Sequence, residues 1–198
     1  ASLMDFNRGL LREFDMEPYE QVLHLEDNDG RGLGMAIMVK NGYRLDTVKS
    51  HGLELADGQD PIFDLDCQEY AVLTPEGRSV HILSVQFSLD RDTHRKIQAR
   101  KVADIYHKMK DTGKELVLVC GTLNDVSYSD CLSPLLRGTD LEDVSRQPGC
   151  KVERDLGKGA GYFRLGAYGM GVNIRQKDYM LISPELKGKL TSCGIDRK

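Results

Sequence analysis

The sequence has 198 residues, of which 40% are hydrophobic and 29% are charged. This length allows one real hydrophobic core and is slightly small for two, so a single domain over residues 1–198 is expected. The net charge of -4 gives no general attraction to nucleic acid or to an anionic membrane, and phosphate chemistry would need a local basic site or a metal. No apolar run approaches the length of a membrane span and no signal segment opens the chain, so a soluble protein of unspecified compartment is expected.

The cysteines of this chain are odd in number and widely spaced. There is no Cys-x-x-Cys pair, and no histidines stand near them at zinc-binding spacing. We interpret them all as reduced thiols: Cys67, Cys120, Cys131, Cys150 and Cys193.

The first third of the chain predicts one helix and three strands. Apolar residues recur at helical spacing over residues 2–14, which predicts a short amphipathic helix. Its apolar face is expected to consist of Leu3, Phe6, Leu10 and Phe14. Strands are predicted over residues 19–25, 35–39 and 43–48, with turns at 27–30 and 41–42. The Asn-Gly pair at 41–42 is the strongest hairpin signal in the sequence.

The middle of the chain predicts a hairpin, a long helix and a central strand. Strands over residues 66–73 and 80–87 are joined by the turn sequence Pro-Glu-Gly. A helix is predicted over 92–110, with Gly113 as its left-handed C-cap and Ala99, Val102, Tyr106 and Met109 on one face. The uninterrupted apolar run at 116–119 predicts a strand covered on both faces. A glycine-rich loop is expected over 148–171, followed by a last strand over 179–183.

Four segments, taken in their order along the chain, resemble the endonuclease/exonuclease/phosphatase superfamily. They are Asp29-Gly30-Arg31-Gly32 with the strand after it, Arg95-x-x-Gln98-Ala99, Gly121-x-x-Asn124-Asp125, and Asp178-Tyr179-Met180-Leu181-Ile182-Ser183-Pro184. The resemblance covers nearly the whole chain. It implies an α+β fold, a four-layer α/β sandwich in which two mostly antiparallel sheets pack face to face with outer helices. It also implies hydrolysis of phosphoesters with Mg²⁺ or Mn²⁺.

Two positions of the family's reactive groups are substituted here. The Gly-Asp-Phe-Asn turn of the family places an acid where this chain has Thr122, while the amide is kept as Asn124. A threonine hydroxyl does not ionise near neutral pH and cannot act as the base that activates water. The imidazole that the resemblance implies at the end of the preceding strand is replaced by Gln86, whose amide carries no charge.

Three further positions extend the same pattern. A phosphate-binding arginine of the family corresponds to Leu65, and the acid of the Arg-Gly-Ile-Asp stretch corresponds to Gly34. Asp178 matches the family carboxylate that orients the imidazole. With Gln86 in place of the imidazole, it could only orient an amide by hydrogen bonding.

Arg31 and His51 are candidate substrate-binding residues. Arg31 stands between glycines in the first motif, where a solvated turn residue is an equal alternative. His51 belongs to a Ser-His pair that follows a strand at the same place in relatives. No metal ligand set is assigned, and Asn124 alone could equally be a simple Asx turn.

The ends of the chain lack the family's first strands and its last strand. We therefore expect a domain that is incomplete at both ends, with the missing strands supplied by flanking sequence or by a second chain.

Two classes of function follow from these substitutions. The favoured one is a domain that has lost catalysis and serves as a binding or assembly module. The alternative is a Mg²⁺- or Mn²⁺-dependent phosphodiesterase or nuclease with residual activity.

Overall fold

A computed structural model describes residues 2–25, 28, 34–56, 60–148, 150–152 and 176–195. Its largest element is a six-stranded mixed sheet with the strand order β3-β6-β7-β8-β11-β9. These strands are β3 (Arg44–Ser50), β6 (Cys67–Leu73), β7 (Ser79–Gln86), β8 (Val117–Thr122), β9 (Glu142–Asp143) and β11 (Asp178–Ile182). The α+β class that the sequence predicts is confirmed.

The centre of this sheet follows the sequence prediction closely. β6 and β7 form an antiparallel hairpin around Gly77, whose φ of +75° is the left-handed conformation that the Pro-Glu-Gly turn requires. β7 and β8 run parallel, joined by the long helix α3 (Asp92–Asp111). β8 lies between β7 and β11, so the apolar run at 116–119 does belong to a central strand.

Helix α3 covers one face of the sheet and forms the core with it. The predicted helix face is buried, since Ala99, Val102, Tyr106 and Met109 are all at most 3% exposed. Gly113 has a φ of +81° and Lys114 N donates to Met109 O, which closes the helix as predicted. The sheet side chains that meet α3 come from alternate positions of each strand, including Leu83, Val85, Val117, Val119 and Leu181.

The opposite face of the sheet carries a second, smaller layer. β1 (Gln21–Leu25) and β2 (Met35–Val39) form a two-stranded antiparallel sheet. Ser84 Oγ lies 3.7 Å from Met35 Sδ, and Leu45 N donates to Gln21 Oε1 at 2.7 Å, so this hairpin lies over β7 and β3.

The hairpin predicted at Asn41-Gly42 is wrong in its pairing. The turn itself forms, with Gly42 at a φ of +86° and Tyr43 N donating to Lys40 O. β2 nevertheless pairs with β1, and β3 pairs with β6. An Asn-Gly signal fixes a local reversal, whereas pairing depends on which strand edges are available in the folded chain.

The N-terminal helix forms, but its predicted apolar face is wrong. It consists of α1 (Leu3–Asp5), a π-helical stretch (Phe6–Leu10) and α2 (Leu11–Glu13). A π turn inserts one extra residue and rotates the following side chains by ~100°. Asn7 and Leu11 are consequently buried, while Leu10 and Phe14 are 43% and 69% exposed.

Several short elements have no counterpart in the sequence prediction. They are β4 (Leu55–Ala56), β5 (Asp60–Pro61), α4 (Ser133–Leu136), a 3-10 helix (Val144–Arg146), β10 (Lys151–Val152), α5 (Pro184–Lys187) and β12 (Gly194–Ile195). Most of the loop predicted over 148–171 lies outside the described residues. No helix in the described part of the chain is long and apolar enough to cross a membrane.

Candidate functional site

Three of the sequence-predicted site residues lie side by side at one end of the large sheet. Gln86 ends β7, Thr122 ends β8 and Asp178 begins β11. The strand register pairs Thr122 with Gln86 on one side and with Asp178 on the other. Directly paired residues project to the same face of a sheet, so these side chains form one polar row across three strands. We call them the polar row.

The polar row faces the β1–β2 layer and not helix α3. Leu83 and Val85 point to the α3 core, so Ser84 and Gln86, which alternate with them along β7, point to the other face. Met35 of β2 contacts Ser84, one pleat from Gln86. The row is therefore on the face of the sheet that carries the β1–β2 layer, and Gln86 and Asp178 are exposed there.

The only hydrogen bond within the polar row among the described residues joins Thr122 to Asp178. Thr122 Oγ1 donates to Asp178 Oδ1 over 2.7 Å. The hydroxyl is thus held as a donor to the carboxylate at the position where the family resemblance implies an acid. The row contains one ionisable group, one hydroxyl and one amide.

Asn124 lies beside the row and holds the end of β7. Its φ of +55° is the left-handed conformation, which asparagine tolerates better than most residues. Its Nδ2 donates to Phe87 O at 2.8 Å, so its amide hydrogen is engaged in fixing the residue after Gln86.

Gly121 sets the close approach of β8 to β7. Its φ is +139°, and a Cβ at this position would lie 1.9 Å from Val85 O. No side chain fits there, which explains the glycine before Thr122 in physical terms.

A buried arginine of α3 links the segments that follow β7 and β8 to the helix. Arg95, 5% exposed, donates from Nε to Asp125 Oδ2 at 3.3 Å and from Nη1 to the carbonyls of Ser88 and Leu89. Gln98 Oε1 accepts from Ser88 N at 2.8 Å. The Arg-x-x-Gln motif therefore fixes the loops that follow β7 and β8, and it does not reach the polar row.

The remaining substituted positions lie near the same end of the molecule. A Cβ on Gly34 would lie 2.2 Å from Leu25 O and 2.4 Å from His24 Nε2, so this backbone leaves no room for an acid. Leu65 is half-buried, and its carbonyl accepts from Asn28 N at 3.2 Å. Arg31 lies outside the described residues.

His51 lies apart from the polar row, on the α3 side of the sheet. Its ring is 3% exposed, with Nδ1 2.6 Å from Glu54 Oε1 and Nε2 3.4 Å from Glu69 Oε2. Glu69 is paired with Leu83 across β6 and β7 and so faces the α3 core. The structure therefore does not bring His51 together with the other predicted residues.

The carboxylates around His51 are stabilised in their charged form. Burial raises the pKa of Glu69, but hydrogen bonding and the charge of Lys114, with a smaller part from His51, lower it overall. Burial likewise opposes the lowered pKa of Glu54, where the bonds to His51 and Lys101 prevail. Lys101 of α3 thereby holds Glu54, in the segment after β3, and Lys114, just after α3, holds Glu69 of β6.

The polar row does not fit the divalent metal that the family resemblance implies. Mg²⁺ and Mn²⁺ favour several oxygen ligands including carboxylates, and the row offers one carboxylate that already accepts from Thr122. Across the described ranges, no three His, Cys, Asp or Glu side chains cluster closely enough to hold a metal ion.

Sequence reasoning missed three residues that support the site. Gln176, buried, donates from Nε2 to Asp178 O and to Asp143 Oδ2. Tyr179 donates from its hydroxyl to Asp125 O at 2.9 Å. Cys120 lies one pleat from Thr122 on the same face, and burial raises the pKa of its thiol to about 11. Asp143 lies 33 residues from Gln176 and Asp125 lies 54 residues from Tyr179, so no spacing pattern could reveal these two contacts.

Comparison with solved structures places this fold among known ones. An endonuclease/exonuclease/phosphatase family protein from Bacteroides thetaiotaomicron matches with a TM-score of 0.62 and 15% identity, over 88% of this chain and 63% of that one. A mannosyl-6-phosphatase of the same organism matches with a TM-score of 0.59 and 13% identity, over 93% and 82%. The human Nocturnin catalytic domain with bound sulfate gives a TM-score of 0.60 and 14% identity, over 89% and 64%.

These likenesses show the fold. The chain has the DNase I-like, four-layer α/β fold of endonuclease/exonuclease/phosphatase proteins, as the sequence resemblance implies. It spans less than two thirds of the first of these structures. No family profile matches the sequence, and no curated protein matches it.

Proposed function

We propose that this chain is a binding or assembly domain that keeps the endonuclease/exonuclease/phosphatase fold without hydrolysing phosphate esters. The single observation that carries the proposal is the bond from Thr122 to Asp178, because a neutral hydroxyl occupies the position where the resemblance implies a base. The one carboxylate of the polar row is engaged by that hydroxyl.

The size of the expected loss supports this proposal. Removing a general base or a charge-stabilising group commonly lowers a rate by about a hundred- to a thousandfold. In this chain Thr122, Gln86 and Leu65 together replace a base, an imidazole and an arginine of the family. These losses need not multiply, but one alone would reduce turnover severely.

An assembly role is supported by exposed apolar side chains near the N-terminus. On and just after the N-terminal helix, Met4, Leu10, Phe14 and Met16 are between 39% and 69% exposed. In the described residues, the β1–β2 sheet that lies over β7 and β3 has only two strands. We propose that further strands, from flanking sequence or from a second chain, complete the β1–β2 sheet.

Hydrolysis assays on the full-length polypeptide test the proposal. The substrates are bis-p-nitrophenyl phosphate and plasmid DNA, each with Mg²⁺ or Mn²⁺, for the unmodified protein, Asp178→Asn and the control Asp46→Asn. Asp46 is an exposed residue of the edge strand β3. We expect the same background rate from all three proteins.

Turnover that is lost in Asp178→Asn and kept in Asp46→Asn would overturn the proposal. It would favour the alternative, a Mg²⁺- or Mn²⁺-dependent phosphodiesterase completed by flanking sequence or another chain. The observation in favour of that alternative is that Asn124, just after β8, and Asp178, at the start of β11, lie at the same end of the large sheet.

A further inference from the structure

A second cleft lies on the other face of β11 from the polar row. It has a volume of about 530 Å³ and is bounded by the loop after β8, α4, β9, the 3-10 helix and α5. Tyr179 lines it, and Tyr179 alternates with Asp178 along β11, so the two side chains point to opposite faces. A volume of this size accommodates a small organic ligand.

The cleft combines an apolar floor with a cationic rim. Leu141 and Tyr179 are buried and form part of the floor. Arg137 and Arg146 line the rim, and their side chains are 49% and 61% exposed. Tyr128, 76% exposed, presents its ring at the same rim.

The acids of the cleft already have partners. Both carboxylate oxygens of Glu142 accept from Lys187 Nζ, at 2.9 and 2.7 Å. Asp143, whose side chain is 8% exposed, accepts from Gln176 Nε2 at 3.0 Å and from Ser145 N at 2.9 Å, and its Oδ2 lies 3.9 Å from Arg146 Nε. Each of these carboxylates is thus paired with a cation of the cleft, Glu142 with Lys187 and Asp143 with Arg146, while the Nη groups of Arg146 lie beyond that pair.

The two arginines keep hydrogen-bond donors for a ligand. Arg137 donates from Nε to Ser133 Oγ and from Nη2 to Asp130 Oδ1, and Arg146 donates from Nη2 to Ser127 Oγ. A guanidinium carries five N–H donors, so the Nη1 groups of both residues have no hydrogen-bond partner among the described residues. These bonds also hold the guanidinium planes in place, which favours bidentate recognition of an oxyanion.

We propose that this cleft binds a phosphate monoester carried on a flat aromatic ring. The phosphate would lie between Arg137 and Arg146, and the ring would stack on Tyr128 over the apolar floor. The site is separate from the polar row, so it needs neither a metal nor hydrolysis. This inference rests on the proposed function and names a ligand class for the proposed binding domain.

Isothermal titration of the full-length polypeptide with three probes tests this assignment. Phenyl phosphate carries ring and charge, inorganic phosphate carries the charge alone, and phenol carries the ring alone. We expect phenyl phosphate to bind at least about tenfold more tightly than either of the others, a difference of about 1.4 kcal/mol.

Matched variants separate the two parts of the site. Arg146→Gln should weaken phenyl phosphate and inorganic phosphate alike by about tenfold, while Tyr128→Ala should weaken phenyl phosphate only. Arg78→Gln, on the exposed turn between β6 and β7, is the control and should leave both affinities unchanged. Thermal melting checks that each variant is folded, and Arg146→Lys should recover part of the lost affinity.

The assignment is overturned if phenyl phosphate binds no more tightly than inorganic phosphate. It is also overturned if Arg137→Gln and Arg146→Gln, both folded, leave the affinity unchanged. Hydrolysis of phenyl phosphate would contradict the proposed function instead, and Asp178→Asn should abolish such hydrolysis without altering binding in the cleft.

Discussion

Two groups of residues meet at the ends of β7, β8 and β11, and they differ sharply in how they are held. The supporting group, Arg95, Gln98, Asn124 and Asp125, is tied by hydrogen bonds to the backbone that carries the site. The polar row, Gln86, Thr122 and Asp178, has a single internal bond. The residues that hold the strand ends in position are therefore different from the residues that determine the chemistry of the polar row.

This difference implies that the stability of the fold and the chemistry of the polar row can be changed separately. The supporting group can hold the strand ends in place whether or not the row carries charge, because none of its hydrogen bonds within the described residues reaches a side chain of the row. Mutations in the supporting group should consequently reduce stability, and mutations in the row should change local chemistry at little cost.

The largest effect is expected from Gly121→Ala. A Cβ at this position would meet Val85 O at 1.9 Å, and the backbone is in a conformation that alanine avoids. We expect the free energy of unfolding to fall by about 3 kcal/mol or more, measured by urea denaturation. Gly77→Ala is the control, because Gly77 also has a positive φ but open space around it, and it should cost about 1 kcal/mol. Equal losses in both variants would contradict the close-approach explanation.

Arg95→Gln should follow, with a loss of about 3 kcal/mol. It removes a buried cation from Asp125 and leaves the carbonyls of Ser88 and Leu89 without their donor. Arg100→Gln, on the exposed side of α3, should stay within about 0.5 kcal/mol of the unmodified protein. A small loss in Arg95→Gln would show that the loops are held by other contacts.

Thr122→Val tests the polar row and should have a much smaller effect. It removes one hydrogen bond to an exposed carboxylate, so we expect a loss of about 0.5 kcal/mol in urea denaturation. A loss as large as that of Arg95→Gln would remove the distinction between the two groups.

The smallest effect concerns acid stability on the α3 side. The pKa of Glu69 is lowered from its ordinary value of 4.5 in the folded state, so its stabilisation is present above pH 4.5 and is lost as the pH falls below it. Glu69→Gln should therefore give a shallower fall in unfolding free energy below pH 4.5 than the unmodified protein. Glu13→Gln, exposed on α2, should not change that slope. A slope unaltered by Glu69→Gln would contradict the role of the Lys114 and His51 contacts.

The centre of the fold could be predicted from local signals in the sequence. The β6–β7 turn, the buried face of α3 and the centrality of β8 each follow from a few neighbouring residues. The pairing of β2 and β3 could not be predicted, because it depends on distant strand edges. The prediction of the buried face of the N-terminal helix is wrong for another reason. A π turn at Phe6–Leu10 shifts the helical periodicity, and nothing in the local amino-acid composition indicates it.

The candidate site was predictable only in part. The resemblance pointed to Gln86, Thr122 and Asp178, and the strand register places them together. It also pointed to His51, which lies on the other face because Glu54 and Glu69 hold its ring there. The Arg95–Asp125 contact joins residues 30 positions apart, so no local pattern contains it.

Mn²⁺ binding, followed by electron paramagnetic resonance, tests the central claim most directly, since the claim is that the polar row cannot hold a catalytic metal. We expect the free-ion signal of the unmodified protein, of Asp178→Asn and of Asp46→Asn to rise identically with added Mn²⁺. A saturable site that is present in the unmodified protein and in Asp46→Asn, and absent from Asp178→Asn, would contradict it.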